Sequence, residues 1–536
     1  MKGFEAIPEL IRAIGSPAVF AVLASTNGPY LAHGSSSGAF PLIRTRHEET
    51  ATAAAAAYSR VSGLVGITSV QRGPGIANSI NALMVAKSVH SPLVVLVAES
   101  PATKEKTAKN VNQRALVESI GVGFHHANLP SDLEREFMSA VGAAEWSGIP
   151  QVLSIADGIL EADTSLVGMN PISPDTAQPD PQSIASAIDT IEGSRRPLII
   201  AGHGAIHSEA RSALEMLADL IGARLGNSLY GSGFFAGHPR DLGLCGTWAS
   251  RVVQQDVAAC DVVLGFGASL NRHTSGEGLL FAGSHVIHCE IDLDQPSRAS
   301  SPELALLGDA RLTAVALIEE WERRQNSRRP LVGDVPTSED IRRSVLDVDL
   351  GHDPSRGPDI REAYDFFDSC LPEDRIVVTD SGRHLPPMLS LVRVTGSRGI
   401  VHSRGYGSVG LGIGAAIGAA TARPDRPVTL FCGDGGFTMA SQELDTIRRY
   451  ELNIKIVVMN DLMYGAEVRY LRGFGLGPEV LEMSFPDVAL LARTYGGAGV
   501  CVRSLEELHA IDLSGRGLQV IDVRIDPDIQ GSDALG

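Results

Sequence analysis

The chain is poor in several things that would each have named a class of protein. It has six cysteines in 536 residues, none in a CxxC pair, which excludes a disulfide scaffold and a zinc ribbon. Aromatics make up only 5% of it. No apolar run of roughly 18 or more residues is free of charges and turn formers, so no membrane span is expected. Basic charge is in deficit: 45 Lys and Arg stand against 63 Asp and Glu, for a net charge of −18. That balance argues against nucleic acid or an anionic membrane as a partner. Any phosphate must therefore be held by local devices. The segment Met1–Pro8 carries an early Glu5 and Pro8 and lacks the apolar core of a secretion signal. Cysteines within apolar runs, such as Cys289 and Cys432, read as reduced thiols of a cytoplasmic protein.

What is present is enough for several ordinary cores, with 44% hydrophobic and 20% charged residues. The length predicts about three domains. Two Pro- and Asp-rich stretches, around Gly168–Pro181 and Gln325–Gly357, read as linkers. They separate domains at 1–165, 185–325 and 356–536. Each domain alternates short β-rich runs with helical patterns. This predicts an α/β protein of three consecutive domains with mainly parallel sheets. The clearest strand runs are Val19–Leu23, Val65–Ser69, Leu93–Ala98 and Gln151–Ile155, then Leu198–Ala201, Val262–Phe266 and Val286–Ile291. The third domain has Ile376–Thr379, Val428–Phe431, Ile456–Met459 and Leu518–Val523. No sequence repeat relates the domains.

The most informative stretch is Gly433-Asp434-Gly435-Gly436, followed 24 positions later by Asn460-Asp461. Each acidic turn follows an apolar run. A strand–turn–helix–strand–turn unit of this length sets Asp434 and Asp461 side by side at the carboxyl ends of parallel strands, where open α/β sheets bind ligands. Two neighbouring carboxylates call for a cation, and hard oxygen ligands suit Mg²⁺ bridging to a phosphate. The glycines let backbone approach a phosphate at a helix start. Asp380-Ser381-Gly382-Arg383-His384, also directly after a strand, offers a hydroxyl, amides and basic groups to the same anion. The loop from His402 through Ser403, Arg404, Gly405, Tyr406, Gly407, Ser408 and Val409 to Gly410 exposes backbone groups that can meet the edge of a flat heterocycle. In the first domain, Arg46-His47-Glu48-Glu49 opens an alanine-rich helix, and Gly73-Pro74-Gly75 with Asn78 forms another glycine turn after a strand.

Together and in this order, these segments resemble the thiamine-diphosphate (ThDP) enzymes of the acetolactate synthase, benzoylformate decarboxylase, pyruvate decarboxylase and benzaldehyde lyase superfamily. The resemblance implies a pyrimidine-binding, a central and a diphosphate-binding domain, with ThDP and Mg²⁺ as cofactors. It implies that Asp434, Asp461 and the carbonyl of Met463 hold the metal, with Asp461 standing where the family has Asn. On sequence alone that change adds a second negative charge beside Asp434 and makes the metal-free site more repulsive. Val409 matches the apolar wedge that bends the cofactor, and the Gly407 carbonyl would accept from its 4′-amino group. Gly73, Pro74, Asn78, Ser381, Gly382, His384, Ser408, Gly433, Gly435, Gly436 and Tyr464 complete the cofactor contacts. Glu48 is the implied catalytic residue, hydrogen-bonded to N1′ of the aminopyrimidine and favouring the tautomer that ionises thiazolium C2.

The resemblance further implies a homodimer or homotetramer, because the family builds each site from two chains. Substrates would be a 2-oxo acid, aldehyde or acyloin, with Asn27, His33, Gln113, His402 and Arg404 as candidate contacts. The activity expected is 2-oxo acid decarboxylation or carboligation. Acyloin cleavage of benzaldehyde-lyase type and flavin-linked oxidation stay open as alternatives. No Gln stands clearly at the family's active-site position in Ala108-Lys109-Asn110-Val111-Asn112-Gln113. His125-His126 falls beyond the loop that carries the pyruvate decarboxylase His pair and reads as structural. Gly267-Ala268-Ser269-Leu270-Asn271-Arg272 replaces the G-A-R-F-D of FAD-binding relatives, so FAD is not expected.

Overall fold

Among the described residues, eighteen strands assort into three six-stranded sheets, every pair of them parallel. The structure is a computed structural model, and it describes residues 1–15, 17–99, 111–172, 177–291, 302–529 and 531–535. Part of the first linker, 173–176, and Ala108-Lys109-Asn110 lie outside the described residues.

The first sheet holds β1 (Val19–Ala21), β2 (Leu42–Arg44), β3 (Gly66–Val70), β4 (Leu93–Glu99), β5 (Gly123–Ala127) and β6 (Gln151–Ala156), in the order 2-1-3-4-6-5. The second holds β7 (Pro197–Ala201), β8 (Arg224–Asn227), β9 (Asp241–Leu244), β10 (Val262–Phe266), β11 (His285–Glu290) and β12 (Leu304–Leu307), in the order 12-11-10-7-8-9. The third holds β13 (Ile376–Thr379), β14 (Ile400–His402), β15 (Val428–Gly433), β16 (Ile454–Asn460), β17 (Ala498–Val502) and β18 (Leu518–Arg524), in the order 14-13-15-16-18-17. Numbered from its own first strand, the third sheet repeats the order of the first. The central sheet has the 3-2-1-4-5-6 order of a doubly wound dinucleotide fold.

The interior strands are apolar on both faces, as sheets covered by crossover helices require. Residues of β13, β15 and β16, such as Val378, Leu430 and Ile456, are fully buried. The first and third domains share one hydrophobic core. It runs through the helices Glu48–Ser62 and Gly412–Ala422, which pack against each other. Small residues permit the contact: a Cβ on Gly418 would lie 2.0 Å from the carbonyl oxygen of Ala54. The alanine run of the first helix is therefore an interface, with Ala51, Ala54 and Ala55 fully buried.

Among the described residues no helix is long and apolar enough to cross a membrane. All six cysteines are free thiols, with Cys370 exposed and Cys245, Cys260, Cys289 and Cys432 buried.

Candidate active site

The switch point of the third sheet lies between β13 and β15, where successive crossovers leave in opposite directions and a crevice opens at the carboxyl ends. Asp380 follows β13 and Asp434 follows β15, so the two turns of interest flank this crevice. Asp380 is fully buried and acts as a knot. Its Oδ1 accepts from Ser381 N at 2.7 Å and from the Ser403 hydroxyl at 3.4 Å; its Oδ2 accepts from Gly410 N at 3.0 Å and Gly412 N at 3.3 Å. The glycine loop is thus tied to the end of β13. Two glycines are dictated by this carboxylate: a Cβ on Gly412 would sit 3.0 Å from Asp380 Cβ, and one on Gly436 2.7 Å from Asp380 Oδ2. Burial raises the Asp380 pKa to about 6, against the pull of the amides that hydrogen-bond it.

That shift has a sign that can be tested. A carboxyl whose folded pKa lies above its unfolded value of about 3.9 contributes stability that is fully present below that value and lost as pH rises through 6. The urea midpoint of wild type is expected to fall more steeply between pH 4 and 6 than that of Asp380→Asn. Parallel profiles would remove the assignment. At neutral pH the Asn variant, left with one acceptor oxygen, should lose about 1.5–3 kcal/mol for the loop amides it abandons.

Asp434 begins the helix Asp434–Met439 and is 2% exposed. Its Oδ1 accepts from Gly435 N at 2.8 Å, while Oδ2 is buried without a partner. Its pKa rises to about 7, first because of burial and then because of the charge of Asp461. A buried carboxylate oxygen with nothing to bind is costly, and a hard cation would satisfy it. Asp461, 8% exposed, follows β16 on the neighbouring strand. Asn460 closes the turn, donating to Asp522 Oδ1 at 2.7 Å and accepting from Leu462 N at 3.1 Å. Leu462 has φ +59°, a left-handed conformation that a leucine rarely adopts. This bend leads the chain directly into Met463.

The second negative charge expected at Asp461 is felt by Asp434 and is partly offset by Arg383. Arg383 Nε lies 2.6 Å from Asp461 Oδ2, and both side chains are below 10% exposed. The Nε–H is not aligned for a hydrogen bond, so the contact is an ion pair. The guanidinium is anchored beyond it on the carbonyls of Pro527, at 2.8 Å, and Asp526, at 3.4 Å. A Cβ on Gly465 would lie 2.2 Å from Asp461 Oδ2 and 2.6 Å from Arg383 Cδ, so glycine leaves room for the pair. One oxygen of Asp461 faces Arg383; the other accepts weakly from Met463 N at 3.3 Å. His384 is buried with Nε2 unpartnered, and burial lowers its pKa to about 4, so it is neutral. Gly435 is required by Tyr464, whose ring would stand 2.7 Å from a Cβ there.

Val409 is half-buried beside this turn: a Cβ on Gly436 would be 3.4 Å from its Cγ1. The loop before it bends through Tyr406 at φ +65° and Gly407 at φ +82°. Gly405 packs so closely on the helix Pro74–Ser88 that a Cβ would meet Ser88 Oγ at 2.0 Å, and Ser408 Oγ donates to Asn81 Oδ1 at 2.8 Å.

Glu48 opens the helix Glu48–Ser62, with His47 as N-cap accepting from Glu49 N. Its Oε2 accepts from Asn78 Nδ2 at 3.0 Å, and Glu49 accepts from Asn81 at 2.6 Å. The start of the helix is pinned from the third domain of the same chain. Buried Glu443 accepts from Arg46 N at 2.9 Å and His47 N at 3.0 Å. Among the described residues no hydrogen bond or ion pair links Glu48 to Asp434, Asp461 or Val409 within one chain.

The remaining sequence candidates scatter. Asn27 is buried with its amide committed to Ala24 N, Val22 O and Ser69 Oγ. Gln113 is buried between Gly73 N and Ala98 O. His33 is half-buried, with Phe4 edge-on to its ring. His402 is buried against Tyr230. Arg404 lies over Trp248, its Cζ 4.1 Å from the ring centroid. His125 and His126 lie on β5 and face Glu136 and Glu99 at 3.8 and 3.3 Å. Asp380, Arg383 and Glu443 hold the site together; only the first two lie in a motif legible in sequence, which offers Arg383 as a basic group for phosphate and gives Asp380 no role of its own.

A crevice with an orphaned carboxylate oxygen, a buried histidine and helix-start glycines, at the carboxyl ends of a parallel sheet, marks a ligand-binding α/β protein. Comparison with known proteins makes it more specific. Residues 1–119 match the N-terminal TPP binding domain of thiamine pyrophosphate enzymes, 184–317 their central domain and 380–523 their C-terminal TPP binding domain. The chain belongs to this family. It is 28% identical to an acetolactate synthase large subunit of Parasynechococcus marenigrum, over 98% of this chain and 88% of the relative. It is 24% identical to a sulfoacetaldehyde acetyltransferase of Castellaniella defragrans, over 98% and 93%. A probable 2-ketoarginine decarboxylase of Pseudomonas aeruginosa is 28% identical over 90% and 87%. In fold, a thiamine diphosphate-dependent 4-hydroxybenzoylformate decarboxylase of Rhodococcus jostii superposes with a TM-score of 0.81 at 22% identity, covering 98% of this chain and 99% of that one.

Proposed function

We propose that this enzyme uses ThDP and Mg²⁺ to make or break a carbon–carbon bond next to a carbonyl, as a 2-oxo acid decarboxylase or carboligase. The observation that carries the reading is the unpartnered, buried Oδ2 of Asp434 beside Asp461, at the switch point of a domain of TPP-binding type. Asp434, the Asp461 oxygen turned from Arg383 and the Met463 carbonyl would hold the cation. The Gly436 amide and His384 Nε2 would face the diphosphate. Val409 would brace the cofactor and Gly407 accept from its amino group. When bound, ThDP supplies a nucleophilic carbon and an electron sink. The chain's own contribution is placement: Glu48 holds or releases a proton at the far ring nitrogen, and Asp380 fixes the glycine loop through the amides of Gly410 and Gly412.

Glu48 has Asn78 as its side-chain partner within the chain. The other half of its site would therefore come from a second copy, giving a homodimer or a tetramer. FAD is no part of the reading, since Ser269 stands where FAD-binding relatives carry Arg. The purified protein should be colourless.

The test is a panel of 2-oxo acids and acyloins with ThDP and Mg²⁺, following CO₂ and aldehyde separately. CO₂ release is the expected result. Aldehyde from an acyloin without CO₂ would favour the lyase alternative, and failure to bind ThDP would overturn the proposal.

A further inference from the structure

A second cavity, of about 250 Å³, lies at the carboxyl ends of β8, β9 and β10, between the central sheet and the loop that leads to Val409. Its wall includes Arg404 through Gly407 on one side and Tyr230, Trp248, Asn271, His273 and Thr274 on the other. It is smaller than the roughly 300–1,000 Å³ pockets that take drug-sized ligands, so it suits a small metabolite and is too small for a dinucleotide. No Asp or Glu lines it.

Arg404 is its charge. The guanidinium is half-buried, with Cζ 4.1 Å above the Trp248 ring, and His273 stacks on the same ring at 5.5 Å between centroids. Among the described residues Arg404 has no carboxylate within ion-pair distance and no side-chain hydrogen bond. Burial works against its charge, and burial, followed by the charges of Arg272 and Arg404, lowers the pKa of His273. Arg404 differs from Arg60, which among the described residues has no carboxylate either but donates to the carbonyls of Tyr230 and Ser397. The indole face offsets some of the desolvation, and an anion would offset the rest.

The anion cannot usefully be the carboxylate that departs as CO₂. A guanidinium bound there favours the ground state over a transition state in which that charge is dispersing, and so slows the reaction. It suits a carboxylate the reaction retains. We propose that this pocket accepts 2-oxo acids bearing a second carboxylate at the far end of the molecule, held by Arg404 against Trp248. This rests on the reading of the Asp434 site as a ThDP site acting on 2-oxo acids.

Two probes of equal chain length decide it: 2-oxoglutarate, which ends in a carboxylate, and 2-oxopentanoate, which ends in a methyl group. Their dissociation constants are measured by calorimetry on the full-length protein, with and without ThDP and Mg²⁺. Glu48→Gln serves for the loaded samples, to suppress turnover. Preference for 2-oxoglutarate by at least about tenfold, or 1.4 kcal/mol, is expected. Arg404→Gln should bring the ratio close to one, and Arg404→Lys should keep part of it. A ratio of one or less in the parent protein, or an unchanged ratio in Arg404→Gln, overturns the proposal. The same holds if neither probe binds. Quenching of tryptophan fluorescence by ThDP, followed in the same samples, separates the two readings. Loss of that signal brings down the cofactor site, whereas a ratio of one in a protein that binds ThDP brings down the dicarboxylate pocket alone.

Discussion

Glu48→Gln is expected to fold, assemble and bind ThDP like wild type, yet to lose at least about 100-fold in kcat/KM. The fold should survive because the glutamine keeps an oxygen for Asn78 Nδ2, and because the helix start is fixed by backbone contacts to Glu443, not by the Glu48 carboxyl. What disappears is a group able to exchange a proton at the cofactor ring, and positioned acid–base groups are worth about 10²–10⁴ in rate. Thermal unfolding and fluorescence titration with ThDP check the first half; initial rates check the second. Turnover near that of wild type would refute the role of Glu48.

The second large effect concerns the metal. Asp434→Ala should abolish Mg²⁺-dependent ThDP binding, weakening it by at least about 100-fold (about 2.7 kcal/mol). Asp461→Asn should retain it. The ranking follows from the surroundings of the two carboxylates. Asp434 has an oxygen with no protein partner, which a cation would satisfy. Asp461 already spends one oxygen on Arg383 and needs to offer only the other, as an asparagine could. The substitution has its own cost: Arg383 is left buried without a carboxylate, and breaking such a pair costs about 3–5 kcal/mol, less here because two carbonyls still accept from it. The Arg383→Gln, Asp461→Asn double variant should therefore bind ThDP and Mg²⁺ better than either single one. Additive effects would dissolve the pair as a unit, and equal binding by wild type and Asp434→Ala would refute the ranking. Titration with EDTA as a control reads the metal dependence directly.

The α/β class and three-sheet plan were legible because the interior strands are covered on both faces and must be apolar throughout. Seven strands escaped notice, and the reason is positional. Six of them, β2, β5, β9, β12, β14 and β17, are sheet edges, buried on fewer sides and free to carry residues such as His125, Asp241 or Arg44. The seventh, β8, reads Arg224-Leu225-Gly226-Asn227. It hides a fully buried arginine whose charge is met by Asp256 at 2.6 Å, a partner 32 positions away. The same limit applies in the site. Asp434 and Glu48 stand in local motifs. Glu443 has none, since its work is done on amides almost four hundred positions earlier. Arg383 sat in plain view, but only the spatial approach of β13 and β16 turns makes it the counter-ion of Asp461.

The identical strand order of the first and third sheets carries a consequence of its own. The helix Glu48–Ser62 runs from the second strand to the third of its sheet, and Gly412–Ala422 does the same in the other. The two helices that pack against each other are thus counterparts in the two sheets, although no sequence repeat relates them. The acid sits at the head of one, and the loop with Val409 leads into the head of the other. One architectural slot is thus used twice, with a carboxylate at the head of one helix and a glycine loop ending in an apolar side chain before the other.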